Sequence, residues 1–207
     1  MLRRFLIDTA GAAMVEMSIV IVLLLTLVLG FVDFGYAFYQ WNAATKAVQV
    51  GARLASISSP VALGLTAEAG APANLANAGA PVAANTYGYA CDYTVGNALA
   101  CRCTTGTCAN TTYSQANFDL ILDGDANRPG MLDFFPGLAR SEVRIEYIAT
   151  GLGFWTRPGG AVPTIRVSIV GHPFQFFFLG GLLGFANLTM PSMISTVTGE
   201  DLKSTAP

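Results

Sequence analysis

Gly11-Ala12-Ala13-Met14-Val15-Glu16-Met17-Ser18-Ile19-Val20-Ile21-Val22-Leu23-Leu24-Leu25-Thr26-Leu27-Val28-Leu29-Gly30-Phe31-Val32-Asp33 is the stretch on which the fold turns. Its apolar part, Met17 to Val32, is about 16 residues or about 24 Å of helix, against a bilayer hydrocarbon core of about 30 Å. A span built on it must recruit neighbours, and Ala10, Ala12, Ala13, Met14 and Val15 are small or apolar enough to serve. Glu16 then falls one or two turns inside the helix. An ionised acid near the middle of a membrane helix costs roughly 2.5–3.5 kcal/mol on insertion scales, so such a group is expected to have a partner and a purpose.

The flanks set an orientation. Arg3 and Arg4 precede the run, and only Lys46 lies within comparable distance after it. That bias predicts a cytoplasmic N-terminus, with everything after about residue 40 outside. Phe34, Tyr36, Phe38, Tyr39 and Trp41 fit an interfacial aromatic belt at the far side. Two simpler accounts stand beside this one. Glu16 could be an interfacial acid favoured by the positive end of the helix dipole in a plain signal anchor. Alternatively, Arg3, Arg4 and the apolar run could form a secretory signal cleaved near Gly35-Tyr36-Ala37.

Together, Arg3-Arg4-Phe5-Leu6, Gly11-Ala12-Ala13-Met14-Val15-Glu16, the apolar run, Phe31-Val32-Asp33-Phe34-Gly35 and Asn42-Ala43 to Gly51-Ala52-Arg53 resemble a TadE-type pseudopilin of the tight-adherence (Flp) pilus system. The resemblance covers residues 1 to about 57. It implies a bacterial inner-membrane protein and a prepilin peptidase that cuts after Gly11. Ala12 becomes the new N-terminus, and Glu16 the fifth residue of the mature chain. The partners it implies are other pilus-assembly pseudopilins or pilins. Cleavage would leave an ammonium at Ala12, about 6 Å of helix rise from Glu16, and the amine of one subunit can face the acid of another. The domains expected are a leader over 1–11, a membrane-spanning and extended helix over 12–57, and an extracytoplasmic domain over 58–207.

Composition agrees with a small exported anchor protein. The chain has 207 residues, of which 12% are charged, about half the usual share. A formal charge of -2 with no basic cluster argues against nucleic-acid binding. Beyond the span, Phe34, Ala37, Phe38, Trp41, Ala44, Val48, Ala52 and Ala55 recur at steps of three and four. This predicts a continuing helix with one core-facing stripe, ending at Ser58-Ser59-Pro60. Residues 61 to about 85 are rich in Ala, Gly and Pro and read as short helical pieces or a connector.

All four cysteines, Cys91, Cys101, Cys103 and Cys108, lie in the next segment. Their spacing lacks paired C-x-x-C knuckles, and outside the membrane oxidation competes with zinc, so two disulfides are expected. Cys101 to Cys103 is the hardest pair to close. The bridges should therefore tie Cys101 and Cys103 separately to Cys91 and Cys108, with both such pairings open, and hold a loop of little apolar content. Downstream, Val143, Ile145, Tyr147 and Ala149 alternate on one strand face, as do Ile165, Val167 and Ile169 on another, with Arg144, Glu146 and Arg166 opposite. Leu188 to Val197 is a weaker strand, and Pro191 marks it as an edge. The fold class expected is α+β: a single N-terminal transmembrane helix extending into a pilin-like soluble domain with a small antiparallel sheet.

Signals for catalysis, metal or cofactor are weak, and none is assigned. His172, before Pro173, is the single histidine and has no assignable nucleophile or orienting acid. It or a free cysteine nonetheless defines the rival function, a membrane-anchored extracytoplasmic hydrolase; a bitopic adhesive or scaffolding domain is a third reading. Asp123, Asp125 and Asn127 begin like a calcium loop, but Arg128 and Phe134 occupy the positions that need glycine and glutamate, so a turn before a helix is expected. Phe174, Phe176, Phe177 and Phe178, followed by Gly180-Gly181-Leu182-Leu183-Gly184-Phe185, are too short a run to span a bilayer. Burial in the domain core is the default there. Contact with a partner or the membrane surface is the alternative.

Overall fold

The computed structural model describes residues 9–68, 76–95, 98–157, 161–174, 176–178, 180–181, 184 and 188–202. The Arg3-Arg4 pair, part of the Ala-, Gly- and Pro-rich stretch at 69–75, Gln175, Leu179, Leu182, Leu183 and Phe185 lie outside them. The order is α1 (Thr9–Ile57), α2 (Leu65–Glu68), β1 (Tyr87–Val95), β2 (Ala98–Gly106), α3 (Gln115–Asp123), β3 (Gly124–Asp125), β4 (Arg128–Pro129), α4 (Met131–Phe134), β5 (Val143–Ile148), β6 (Thr164–Ile169) and β7 (Met193–Thr198). The class is α+β, as expected: a long apolar N-terminal helix followed by a small antiparallel sheet.

Two compact units divide the chain. One comprises residues 1–40 and 173–188, the other residues 41–172 and 189–207. In the second unit the last turns of α1 meet the sheet. Ala44, Ala47, Val48, Ala52, Leu54 and Ala55 are buried. A Cβ on Gly51 would stand 2.6 Å from Met131 Sδ and 3.3 Å from Val167 Cγ1, so α4 and β6 approach the helix where it has no side chain. The helix stops at Ile57, and Pro60 gives the reason, since the residue before a proline is disfavoured in the α region.

The sheet has five strands in the order β2-β1-β5-β6-β7, all pairs antiparallel. β5 and β6 are the expected strands, in the expected phase. Val143, Ile145, Tyr147 and Ala149 are buried, as are Ile165, Val167 and Ile169. β7 is an edge strand that starts at Met193, after Pro191, where the missing N–H removes no ladder bond.

The cysteine segment corrects an expectation. It is no loop but a hairpin, β1 and β2, paired through Tyr89 with Cys103 and Cys91 with Cys101. Tyr87, Tyr89 and Cys91 take the inner face and are buried, so the strand pattern is carried by tyrosines and a cysteine rather than by aliphatic residues. Cys91–Cys101 bridges residues directly opposite in register, and Cys103–Cys108 ties the end of β2 to the chain that follows. On the other face the carboxylate of Asp92 accepts from Arg102 at 2.7 and 2.8 Å and from Arg144 at 2.8 Å. Glu146 accepts from Arg166 at 3.4 Å. Cross-strand pairs of opposite charge of this kind help fix register.

The acidic segment after α3 is a turn, as expected. Ser114 caps α3 by accepting from Asn117 N–H, and Gly124, at φ +77°, ends it by turning into the two-residue ladder of β3 and β4. The Asp125 carboxylate is engaged by Arg128 and by Asn127 N–H, which hold it below the usual carboxylate range, the arginine first.

Candidate functional site: the apolar helix and the aromatic segment

The site of interest is in the first unit. From Met14 to Val32 the surface of α1 is apolar and open: Met14 is 76% exposed, Leu23 65% and Phe31 70%. A helix with such a surface is long and apolar enough to cross a membrane. Over Met14 to Val32 it has no polar face of the kind that lets a soluble helix meet water, Glu16 being the one charged residue there. Ser18 and Thr26 do not break this, because each hydroxyl donates to the carbonyl four residues back, Met14 and Val22, at 2.8 Å.

Gly11 and Ala12 lie within α1 and are exposed, with nothing within 4 Å of where a Gly11 Cβ would stand. Glu16 is also exposed. No hydrogen bond or ion pair joins it to another of the described residues. The structure therefore places the three sequence-predicted processing residues along one short stretch of open helix, and brings no other predicted residue to them.

The core stripe needs a correction. Its spacing is continuous, yet Phe34 is 64% exposed, Phe38 71% and Trp41 39%, while Ala44, Val48, Ala52 and Ala55 are at most 2% exposed. Only the second half of the stripe is core. The discriminating signal is side-chain size: small residues permit close approach of helix and sheet, and the large aromatics mark an apolar but unpacked surface.

Phe174 to Phe178 correct the default expectation of core burial. These residues stand in the first unit, against α1. The Phe176 ring meets Phe34 edge-on at 6.2 Å, Phe177 lies 5.0 Å from Tyr36, and Phe174 lies 6.5 Å from Phe176. Phe177 and Phe178 remain 60% and 43% exposed. What fixes the segment is Asp33, which in the sequence stands only as part of the Phe31-Val32-Asp33-Phe34-Gly35 resemblance, with no role assigned. Its side chain is fully buried, and its two oxygens accept from the backbone N–H groups of Phe177 at 3.0 Å and Phe178 at 2.9 Å. The separation of 144 residues between donor and acceptor explains why local pattern gives no sign of the pair. Phe174 N–H donates to the Leu188 carbonyl at 2.7 Å, so the two ends of the excursion are close.

Several polar groups of the sheet unit are occupied in structural bonds. His172 is buried, with Nδ1 2.8 Å from a Glu142 oxygen and its ring edge-on to Phe135 at 4.7 Å. Those contacts are those of a packing residue. Tyr89 donates to Glu68, whose Oε1 also accepts from Ala109 N–H at 2.7 Å, and Val61 N–H donates to Tyr147 Oη at 3.0 Å. Burial pushes the hydroxyls of Tyr87, Tyr89 and Tyr147 above their ordinary range, and Glu68 adds to the push on the first two. Among the described residues no group of three or more His, Cys, Asp or Glu is placed to hold a metal.

A family model described as TadE-like protein matches residues 11–53. This is the family that the sequence resembles, and the match takes in the open apolar helix and the first buried turns beyond it. Match and helix together fit a membrane-anchored component of a Tad pilus. No curated protein and no solved structure matches the chain.

Proposed function

We propose that the chain is a TadE-like pseudopilin that helps assemble a tight-adherence (Flp type IVb) pilus by subunit packing rather than by catalysis. The observation that carries the reading is a coincidence of place: the family match begins at Gly11 and includes Glu16, an acid displayed on the open surface of an apolar helix. In the bacterial inner membrane that acid needs a counter-ion. A prepilin peptidase cutting after Gly11 supplies one by freeing the Ala12 amine, and the amine of one subunit then meets Glu16 of the next, or of a partner pilin, within the apolar layer.

The N-terminus is cytoplasmic in this account and the sheet unit periplasmic or extracellular. Two disulfides among the four cysteines support that side, since such bridges persist in oxidising compartments. The rival hydrolase would require His172 or a free cysteine: the contacts of His172 with Glu142 and Phe135 favour a structural part, and among the described residues no cysteine is free.

The test is pilus assembly in cells carrying Glu16→Gln, with membrane levels of the protein measured alongside. Removing the charge should preserve insertion, or favour it, while sharply reducing piliation; Gly11→Leu should block processing directly. Wild-type piliation from Glu16→Gln at normal abundance would refute the counter-ion mechanism.

A further inference from the structure

Two features of the first unit are each costly alone and explain one another. Asp33 is a fully buried acid at the end of an apolar run, and Phe177 and Phe178 are exposed aromatics on a segment outside any helix. Non-helical backbone is excluded from the apolar layer chiefly because its N–H groups lack acceptors there. Here the N–H groups of Phe177 and Phe178 both have an acceptor in Asp33, and the carboxylate, costly in an apolar setting, has two charge-assisted bonds. We propose that Phe174, Phe176, Phe177 and Phe178 form a second membrane-contacting element, an aromatic wedge seated in the interfacial layer, with Asp33 as its positioning residue.

Lipid, rather than a protein partner, is the occupant that the surroundings favour. The wedge meets α1 at Phe34 and Tyr36 in the same unit, on a stretch where Phe31, Phe34, Phe38 and Tyr39 are 64–71% exposed. Residues 173–188 carry no charged side chain that would select a partner of opposite sign. Aromatic residues are also the type enriched at the junction of apolar layer and headgroups. A lone apolar patch of this kind facing water would be an aggregation liability. The inference rests on α1 being a membrane anchor, and is independent of cleavage at Gly11 and of piliation.

The test is fluorescence quenching of the full chain reconstituted in phosphatidylcholine vesicles, with and without brominated acyl chains. The two native tryptophans are replaced (Trp41→Phe, Trp155→Phe), and a single reporter is introduced as Phe178→Trp, as Phe177→Trp in case the first fails to fold, or as Leu24→Trp for the span. The proposal expects bromolipid to quench the wedge reporter as well as the span reporter. Asp33→Leu should abolish quenching at the wedge and leave it at Leu24→Trp, whereas Asp33→Asn, which keeps one acceptor oxygen, should reduce it only in part. Quenching at Leu24→Trp without quenching at the wedge overturns the inference while leaving the anchor intact. A wedge reporter shielded from aqueous iodide yet untouched by bromolipid would assign the patch to a protein partner, and would equally overturn it. Quenching at neither place would remove the anchor reading itself. Unchanged wedge quenching in Asp33→Leu would strip Asp33 of its positioning role.

Discussion

Three buried tyrosines show how little a side chain's identity says about its worth. Val61 N–H is buried and donates to Tyr147 Oη, so Tyr147→Phe leaves that donor without a partner and should cost about 1–3 kcal/mol. Tyr87 Oη is equally buried but has no partner among the described residues. Tyr87→Phe should therefore be neutral or slightly stabilising. Chemical denaturation of the detergent-solubilised chain, followed by near-UV circular dichroism, measures both, and equal losses would contradict the assignment. Such distinctions depend on pairs distant in sequence, Val61 with Tyr147 or Glu68 with Tyr89, which residue type alone does not reveal. Glu16 was legible because its cost is local: an acid in an apolar run is anomalous wherever the chain folds. Asp33, an acid of the same run, was not legible in its role, because the donors that occupy it come from Phe177 and Phe178.

The strands and the helix were legible where periodicity and apolar character coincided. β5 and β6 alternate aliphatic and charged residues, and their phase follows from the sequence. β1 and β2 alternate too, but Tyr87, Tyr89 and Cys91 carry the inner face, and four clustered cysteines suggested a loop held together only by bridges. In the fold the bridges reinforce a ladder that is already paired. Removing Cys91–Cys101 as Cys91→Ala with Cys101→Ala should cost about 2–3 kcal/mol, since a loop of this length closes at about that entropy in the unfolded chain. Far-UV dichroism should retain the helical signal of α1. Unreduced wild-type protein should present no alkylatable thiol, and stoichiometric zinc with free thiolates would contradict the bridges outright. Along α1 the three-and-four spacing was legible throughout, yet spacing does not say what lies opposite. The change from Phe34 and Phe38 to Ala44, Ala52 and Ala55 carries that information.

The two compact units divide the account as well. The sheet unit is held by its own core, its disulfides and its charge ladders, and none of these features is a catalytic arrangement. The unit of residues 1–40 and 173–188 carries the open apolar surface of α1, the acid at Glu16 and the Asp33 pair, and the family match over residues 11–53 begins within it. The function proposed above, assembly by helix packing, requires that the first unit be finished by processing, since in that proposal Glu16 gains its counter-ion only when the Ala12 amine is freed. The most direct measurement is the mass of the mature N-terminal peptide from membranes of cells that express the pilus system. The account predicts a chain beginning at Ala12. A chain beginning at Met1 would leave Glu16 without that counter-ion and make the protein a plain anchor. A start near Phe38 would remove the span altogether, and either result would contradict the pseudopilin function.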